Sequence, residues 1–318
     1  MIDVVALGEL LIDFTCTATD AEGYPTMAAH PGGAPANFLA ALTKFGAKTA
    51  LLGKVGTDTF GKLLTSTLDK AGIDTRGLVS SEDVFTTLAF VTLDANGDRE
   101  FAFSRKPGAD TCITFSELDL SLIDEAKVFH FGTLSLTDEP ARTATYEVVA
   151  YAKRQGKLIT YDPNLRKPLW VDLEEAKKQL LWGLEQADVV KISDEEVDFL
   201  FGLGVEDGAR HILSNFGVKL VFVTCGAEGC FFMNQNASGH VPSLKNIQVQ
   251  DTTGAGDIFG GSAVWKLLQT AKAPDALTET ELRDVVSFAC TSAGLSTTKA
   301  GGISSVPDYA DILRRLDT

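Results

Sequence analysis

Short apolar runs alternate along this chain with segments whose apolar residues recur every three or four positions. Val4-Val5-Ala6-Leu7, ending at Gly8-Glu9, predicts a buried first strand. Phe38, Leu39, Ala41, Leu42 and Phe45 then recur at helical spacing. That helix opens at Gly32-Gly33-Ala34-Pro35-Ala36-Asn37 and closes near Gly46. A strand over 49–52 and a helix carried by Phe60, Leu63, Leu64, Leu68 and Ala71 follow, with Gly72 after it. Residues 86–93 and 99–104 are two β-rich runs around Asp94-Ala95-Asn96-Gly97, a hairpin signal.

From Val128 the alternation is steady. Strands are predicted at 128–131, 158–161, 189–192 and 220–224, with helices at about 139–155 and 173–184 and two short helices after 192. A short β-rich stretch around Phe231 and Phe232, long helices at about 256–270 and 279–297, and a short last helix complete the chain. Such alternation implies an α/β fold with a mainly parallel sheet covered on both faces. Residues 1–318 read as one domain, with a small β lid from about 12–31 and 86–110. Ligands on such sheets sit beyond the carboxyl ends of the strands. Glu9, Asp13, His130, Asp162, Ser193 and Thr224 are expected there.

Composition narrows the function. Hydrophobic residues make up 45% of the chain and charged residues 22%, enough for a substantial core. A formal charge of −15 with no basic stripe argues against nucleic acid as a partner. It leaves a nucleotide open, since a helix N-terminus and Mg²⁺ supply local positive potential. The five Cys are odd in number and none form C-x-x-C, which suits a reducing compartment. With no basic leader and no apolar run near ~20 residues, the expectation is a cytoplasmic protein without a membrane partner.

The most suggestive chemistry lies in Asp251-Thr252-Thr253-Gly254-Ala255-Gly256-Asp257, at the start of a predicted buried helix. Helix N-termini present unpaired N–H groups and positive potential to an anion. A carboxylate in the first turn would repel phosphate unless it had a task, such as taking a proton. The stretch therefore reads as a phosphoryl-transfer site with Asp257 as general base, although these residues alone equally describe a turn and a cap. Gly32, Gly33 and Asn37 offer backbone and side-chain groups for a hydroxyl, and Asp13 for two. Asp162-Pro163-Asn164-Leu165-Arg166 is a stiff turn at a strand end. In Thr224-Cys225-Gly226-Ala227-Glu228-Gly229 the glycines would permit close contact with a ligand. Gly56 to Lys62 nearly fits a phosphate-binding loop, but Leu63 lacks the hydroxyl for Mg²⁺ and Asp58 would repel phosphate. His130, in an apolar strand, reads as a core or pocket residue.

Together these motifs resemble the ribokinase-like (PfkB) family of carbohydrate kinases. One signature runs through Gly32–Asn37 to Gly56–Gly61 and the other is Asp251–Asp257. Residues 33–37, 99–110, 162–170 and 191–196 resemble the fructokinase branch, with Ser104 where an aromatic residue is common. The resemblance implies a ribokinase-like three-layer sandwich whose β lid covers the sugar. It implies ATP and Mg²⁺, with K⁺ as a candidate third ligand. The implied reaction makes fructose 6-phosphate, with 2-keto-3-deoxygluconate as the rival substrate and a silent sugar- or nucleotide-binding regulator as the non-enzymatic alternative. Asp257 would be the base, and Gly254, Ala255 and Gly256 the anion hole. Asp13, Gly32, Gly33, Asn37, Phe103, Arg105 and Arg166 would hold the sugar. Ser193, Thr224, Gly226 and Gly229 would line the nucleotide site. Glu196 would place Mg²⁺ through water, and Asp251, Thr253 and Ser305 a monovalent cation. A homodimer through the lid is a further expectation.

Overall fold

In this computed structural model, residues 1–93 and 99–316 are described. The strands are β1 (Val4–Leu7), β2 (Leu11–Thr19), β3 (Pro25–Gly32), β4 (Thr49–Gly56), β5 (Leu78–Ser81), β6 (Leu88–Leu93), β7 (Arg99–Ser104), β8 (Val128–Gly132), β9 (Leu158–Asp162), β10 (Val189–Ser193), β11 (Leu220–Thr224), β12 (Cys230–Asn234) and β13 (Ser238–Val241). The helices are α1 (Ala34–Lys44), α2 (Thr59–Ala71), α3 (Leu120–Glu125), α4 (Ala141–Arg154), α5 (Leu173–Gln186), α6 (Asp194–Phe201), α7 (Val205–Phe216), α8 (Ala255–Thr270), α9 (Glu279–Ser296) and α10 (Tyr309–Leu316). The expected hairpin turn at 94–97 lies outside the described residues.

Among the described residues one sheet runs β13-β12-β11-β10-β9-β8-β1-β4-β5. Its pairings are parallel from β5 to β11 and antiparallel at β11–β12 and β12–β13. The central strands are mostly apolar because both faces are covered, with His130 in β8 and Lys191 in β10 as polar exceptions. On one face Val5, Phe129, Tyr161, Val190 and Val221 pack with Val148 of α4, Leu180 of α5 and Ile212 of α7. On the other, Val4, Ala6 and Leu51 pack with Leu39 of α1, Leu64 of α2 and Ile258 of α8. Phe222 continues that second layer against Phe259 of α8 and Val286 of α9. Each fully buried Val, Leu, Ile or Phe among them contributes about 1.5–3 kcal/mol by leaving water. The sequence pattern missed β5 and α3. β5 is an edge strand of four partly polar residues paired only with β4, and α3 is a six-residue helix; neither is long enough to show a period. No helix among the described residues is long and apolar enough to cross a membrane.

The remaining strands form a separate sheet in the order β3-β2-β6-β7. Its registers align His30, Asp13, Ala89 and Phe103 in one row across the four strands. β2 leaves directly beyond β1, and β3 leads straight into α1. The small sheet therefore stands at the carboxyl end of the large one.

Candidate active site

Two helix N-termini meet beyond the carboxyl ends of the central strands. The helices α1 and α8 cross closely because α8 carries Gly261: a Cβ there would lie 2.3 Å from the Phe38 carbonyl oxygen. α8 begins at Gly254, whose φ of 76° is left-handed. A side chain at that position would also approach Asn37 Nδ2 to 3.1 Å. α1 begins at Gly33, and the Ala34 N–H donates to Glu9 Oε1 at 2.8 Å. Burial raises the Glu9 pKa to about 7.

Asp257 lies in the first turn of α8, buried, and accepts a hydrogen bond from Asn37 Nδ2 at 2.9 Å. Burial raises its pKa, opposed by Asn37, Lys191 and Arg166. Asn37 Oδ1 is buried without a hydrogen-bond donor among the described residues. An orphaned acceptor of this kind calls for a ligand donor.

Asp13 is half-buried on β2. Its carboxylate lies over Gly32, where a Cβ would come within 2.3 Å of Oδ2. Burial raises its pKa to about 6; Arg166 opposes the shift, and Asp257 and Asp251 add to it. His30, in the same row, lies near Gly301, whose Cβ position would be 3.8 Å from Nδ1. This face of the small sheet thus looks toward the start of α8. Half-buried Phe103 shares the row.

Arg105, expected from the resemblance to reach the sugar, is buried among protein partners. Its Nε donates to Asp110 at 2.8 Å, one terminal nitrogen to Thr137 Oγ1 at 2.7 Å, and the other to the Leu134 carbonyl at 2.8 Å. The guanidinium thereby ties the end of β7 to the turn after β8. Arg166 is half-buried, and its charge acts on both Asp13 and Asp257.

On the other flank, Ser193 caps α6. Its Oγ accepts the Glu196 N–H at 3.2 Å, and its own N–H donates to Glu196 Oε2 at 2.8 Å. Glu196 Oε1 accepts the Leu165 N–H at 2.7 Å, joining this cap to the turn after β9. Thr224 lies beside Ser193 in the sheet register. Gly226 has open space at its Cβ position, whereas at Gly229 a Cβ would lie 2.1 Å from the Val241 carbonyl oxygen. Glycine at 229 is thus required by the chain's own packing.

Asp251 Oδ1 accepts the N–H of Thr253 at 2.9 Å and its hydroxyl at 2.7 Å, while Oδ2 accepts the Gly301 N–H at 3.0 Å. Those bonds join the loop before α8 to residues 301–305. The Ser305 hydroxyl donates to the Gly302 carbonyl at 2.9 Å. Among the described residues no three His, Cys, Asp or Glu gather as a metal cluster.

Sequence reasoning assigned no role to Lys191. Its Nζ donates to Asp162 at 3.0 and 3.2 Å. Burial disfavours its charge, but Asp162, Glu196 and Asp257 outweigh burial and raise its pKa. The signal was present: a lysine between Val190 and Ile192 in a central parallel strand demands an anionic partner. His130 lies close by, stacked on Phe38 at 3.7 Å between ring centroids. Burial and the Lys191 charge push its pKa down to about 3, so it is neutral.

The chain matches the pfkB family of carbohydrate kinases over residues 1–309. It is similar to Fructokinase-1 of Zea mays, with 42% identity over 318 residues, covering 99% of this chain and 97% of that one. In structure it is similar to a fructokinase with bound ATP from Xylella fastidiosa, with a TM-score of 0.91 and 30% identity, covering 100% of this chain and 99% of the other. It is also similar to a fructokinase from Vibrio cholerae O395 in a form binding fructose, ADP and calcium ion, with a TM-score of 0.87, 30% identity and 99% of each chain covered.

Proposed function

The chain belongs to the pfkB family of carbohydrate kinases, with the ribokinase-like fold, and from that premise we propose that it phosphorylates D-fructose with ATP, giving fructose 6-phosphate. The observation that carries this reading is Asp257, buried in the first turn of α8 and hydrogen-bonded to Asn37, with Asp13 near enough for the two carboxylates to influence each other's charge. A sugar hydroxyl between them would find both a hydrogen-bond acceptor and a base.

In this reading Asp13, Asn37 and the backbone at Gly32 and Gly33 hold sugar hydroxyls, with Phe103 against the ring and Arg166 over the acidic pair. The hydroxyl oxygen attacks the γ-phosphorus of ATP in line, the bond to ADP breaks, and Asp257 takes the hydroxyl proton. The first-turn amides around Gly254, Ala255 and Gly256 receive the migrating group. Such a reaction depends on positioning and charge neutralisation more than on covalent help. Ser193, Thr224, Gly226 and Gly229 form the nucleotide side. The small sheet acts as a lid that excludes water, the competing phosphoryl acceptor.

Glu196, buried in the first turn of α6 on that flank, fits a Mg²⁺ held mainly by phosphates and reached through water. When bound, Mg²⁺ would draw charge from the phosphate oxygens. The all-oxygen set of Asp251, Thr253 and Ser305 fits a hard monovalent cation, here K⁺. A homodimer through the small sheet belongs to the same reading, since β3 and β7 are its edges among the described residues.

The state of Arg105 favours fructose over a keto-deoxy sugar acid. The guanidinium that could have paired with a substrate carboxylate is committed to Asp110, Thr137 and the Leu134 carbonyl. The test is turnover of a sugar panel with ATP and Mg²⁺. Fructose should be the preferred acceptor; turnover of 2-keto-3-deoxygluconate without fructose would overturn the choice.

A further inference from the structure

Lys191 stands where two sources of positive potential meet. Its side chain is only 12% exposed, and its ammonium lies against the first turn of α8: a Cβ on Gly256 would sit 3.0 Å from Nζ. Any larger residue at 256 would push the ammonium away. A cation beside a helix N-terminus is unfavourable by itself, since the dipole's positive end faces it. Asp162 compensates one charge, and the electrostatic influence of Glu196 and Asp257 also reaches Lys191. A helix N-terminus plus a protonated, buried ammonium is an arrangement suited to a multiply charged anion.

We propose that Lys191 is a further catalytic residue of this kinase, its ammonium forming one wall of the anion hole and contacting the phosphoryl group as it crosses from ATP to the sugar. Asp162 is its positioning residue. Lys191 keeps its proton throughout, the hydroxyl proton goes to Asp257, and the only bonds exchanged are those at phosphorus. The inference rests on the kinase reading of the Asp257 site. It assigns Gly256 a second duty, that of leaving room for the ammonium. A purely structural alternative makes Lys191–Asp162 a tie between β10 and β9, which pair at Val189–Thr160 and Val190–Tyr161.

The test compares full-length wild type with Lys191→Met, Lys191→Arg and the double variant Lys191→Met/Asp162→Asn. Removing one preorganised charge donor from such a site lowers kcat by about 10²–10³-fold. Lys191→Met is expected to show that loss with little change in the KM for fructose or ATP, and Lys191→Arg to recover part of it. Binding of ADP with aluminium fluoride and fructose, a mimic of the migrating group, should be tighter than ADP binding in wild type. That gain should vanish in Lys191→Met. The double variant removes both buried charges together and should fold with kcat still low. Recovery of turnover in the double variant, or an undiminished aluminium fluoride gain in Lys191→Met, would make the lysine a structural partner only. Wild type that phosphorylates no sugar would instead refute the kinase reading beneath it.

Discussion

Asn37 Nδ2 donates to Asp257 Oδ2 at 2.9 Å, bridging 220 positions of sequence and joining the first turns of α1 and α8. Burial raises the carboxyl pKa, and the Asn37 hydrogen bond with the charges of Lys191 and Arg166 restrains the rise. The result is a carboxylate more basic than one in water, as suits a general base. Asp257→Asn is expected to lower kcat by at least ~10²-fold, the usual scale of general-base effects. ADP affinity, measured by calorimetry, should be unchanged. Near-normal turnover would remove Asp257 from the role of base.

Activity and stability should respond to pH in opposite directions at Asp13. Its folded pKa is raised to about 6, against about 3.9 for an unfolded aspartate. As pH falls through that window the folded chain takes up a proton the unfolded chain does not, so this residue's contribution to stability rises. The proposed grip on sugar hydroxyls uses the ionised form, so kcat/KM for fructose should fall below about pH 6. Asp13→Asn should raise Tm at neutral pH, with the gain shrinking toward pH ~4, while weakening fructose binding far more than ATP binding. A lower Tm at neutral pH, or equal losses for both ligands, would mean that the buried charge is not the source of the cost.

Gly32→Ala tests the sugar side without removing a charged group. The new Cβ would stand 2.3 Å from Asp13 Oδ2, so the carboxylate must move. The KM for fructose is expected to rise by roughly tenfold or more, equivalent to about 1.4 kcal/mol, with the KM for ATP little changed. Unaltered fructose kinetics would show that Asp13 tolerates displacement and does not grip the sugar.

The layered fold was legible because strands buried on both faces leave short apolar runs, as at Val4–Leu7 and Leu220–Val223. The start of α8 was legible as a helix N-terminus because glycine, threonine and aspartate precede an apolar run, although those residues alone equally described a turn and a cap. Asp13 was legible as a hydroxyl acceptor in a β-rich lid, and pairing with β3 and β6 adds which row of that sheet it occupies. Two things were not. Arg105 was expected at the sugar from the resemblance alone, and nothing local announces Asp110, Thr137 and Leu134 as its partners. Lys191 depends on Asp162, which lies 29 residues away and is adjacent only through the parallel sheet. In each case a contact distant in sequence decides the role of a single side chain.

The near-match to a phosphate loop at Gly56–Lys62 gives a final test. Asp58 Oδ1 accepts the N–H groups of Phe60 at 2.9 Å and Gly61 at 3.0 Å, while Oδ2 accepts the Thr86 N–H and hydroxyl, each at 2.9 Å. The helix N-terminus that a phosphate would use is therefore already filled by the chain's own carboxylate. Burial works against that carboxylate, but these hydrogen bonds outweigh it and lower its pKa. Its stabilising effect is present at neutral pH and lost as acid protonates it. Asp58→Ala should cost about 1–2 kcal/mol, the scale of a lost N-cap, seen as a lower denaturation midpoint. Its KM for ATP should stay at the wild-type value, because the proposed nucleotide side is formed by Ser193, Thr224, Gly226 and Gly229 instead. A large rise in that KM with unchanged stability would instead make residues 56–62 part of the nucleotide site.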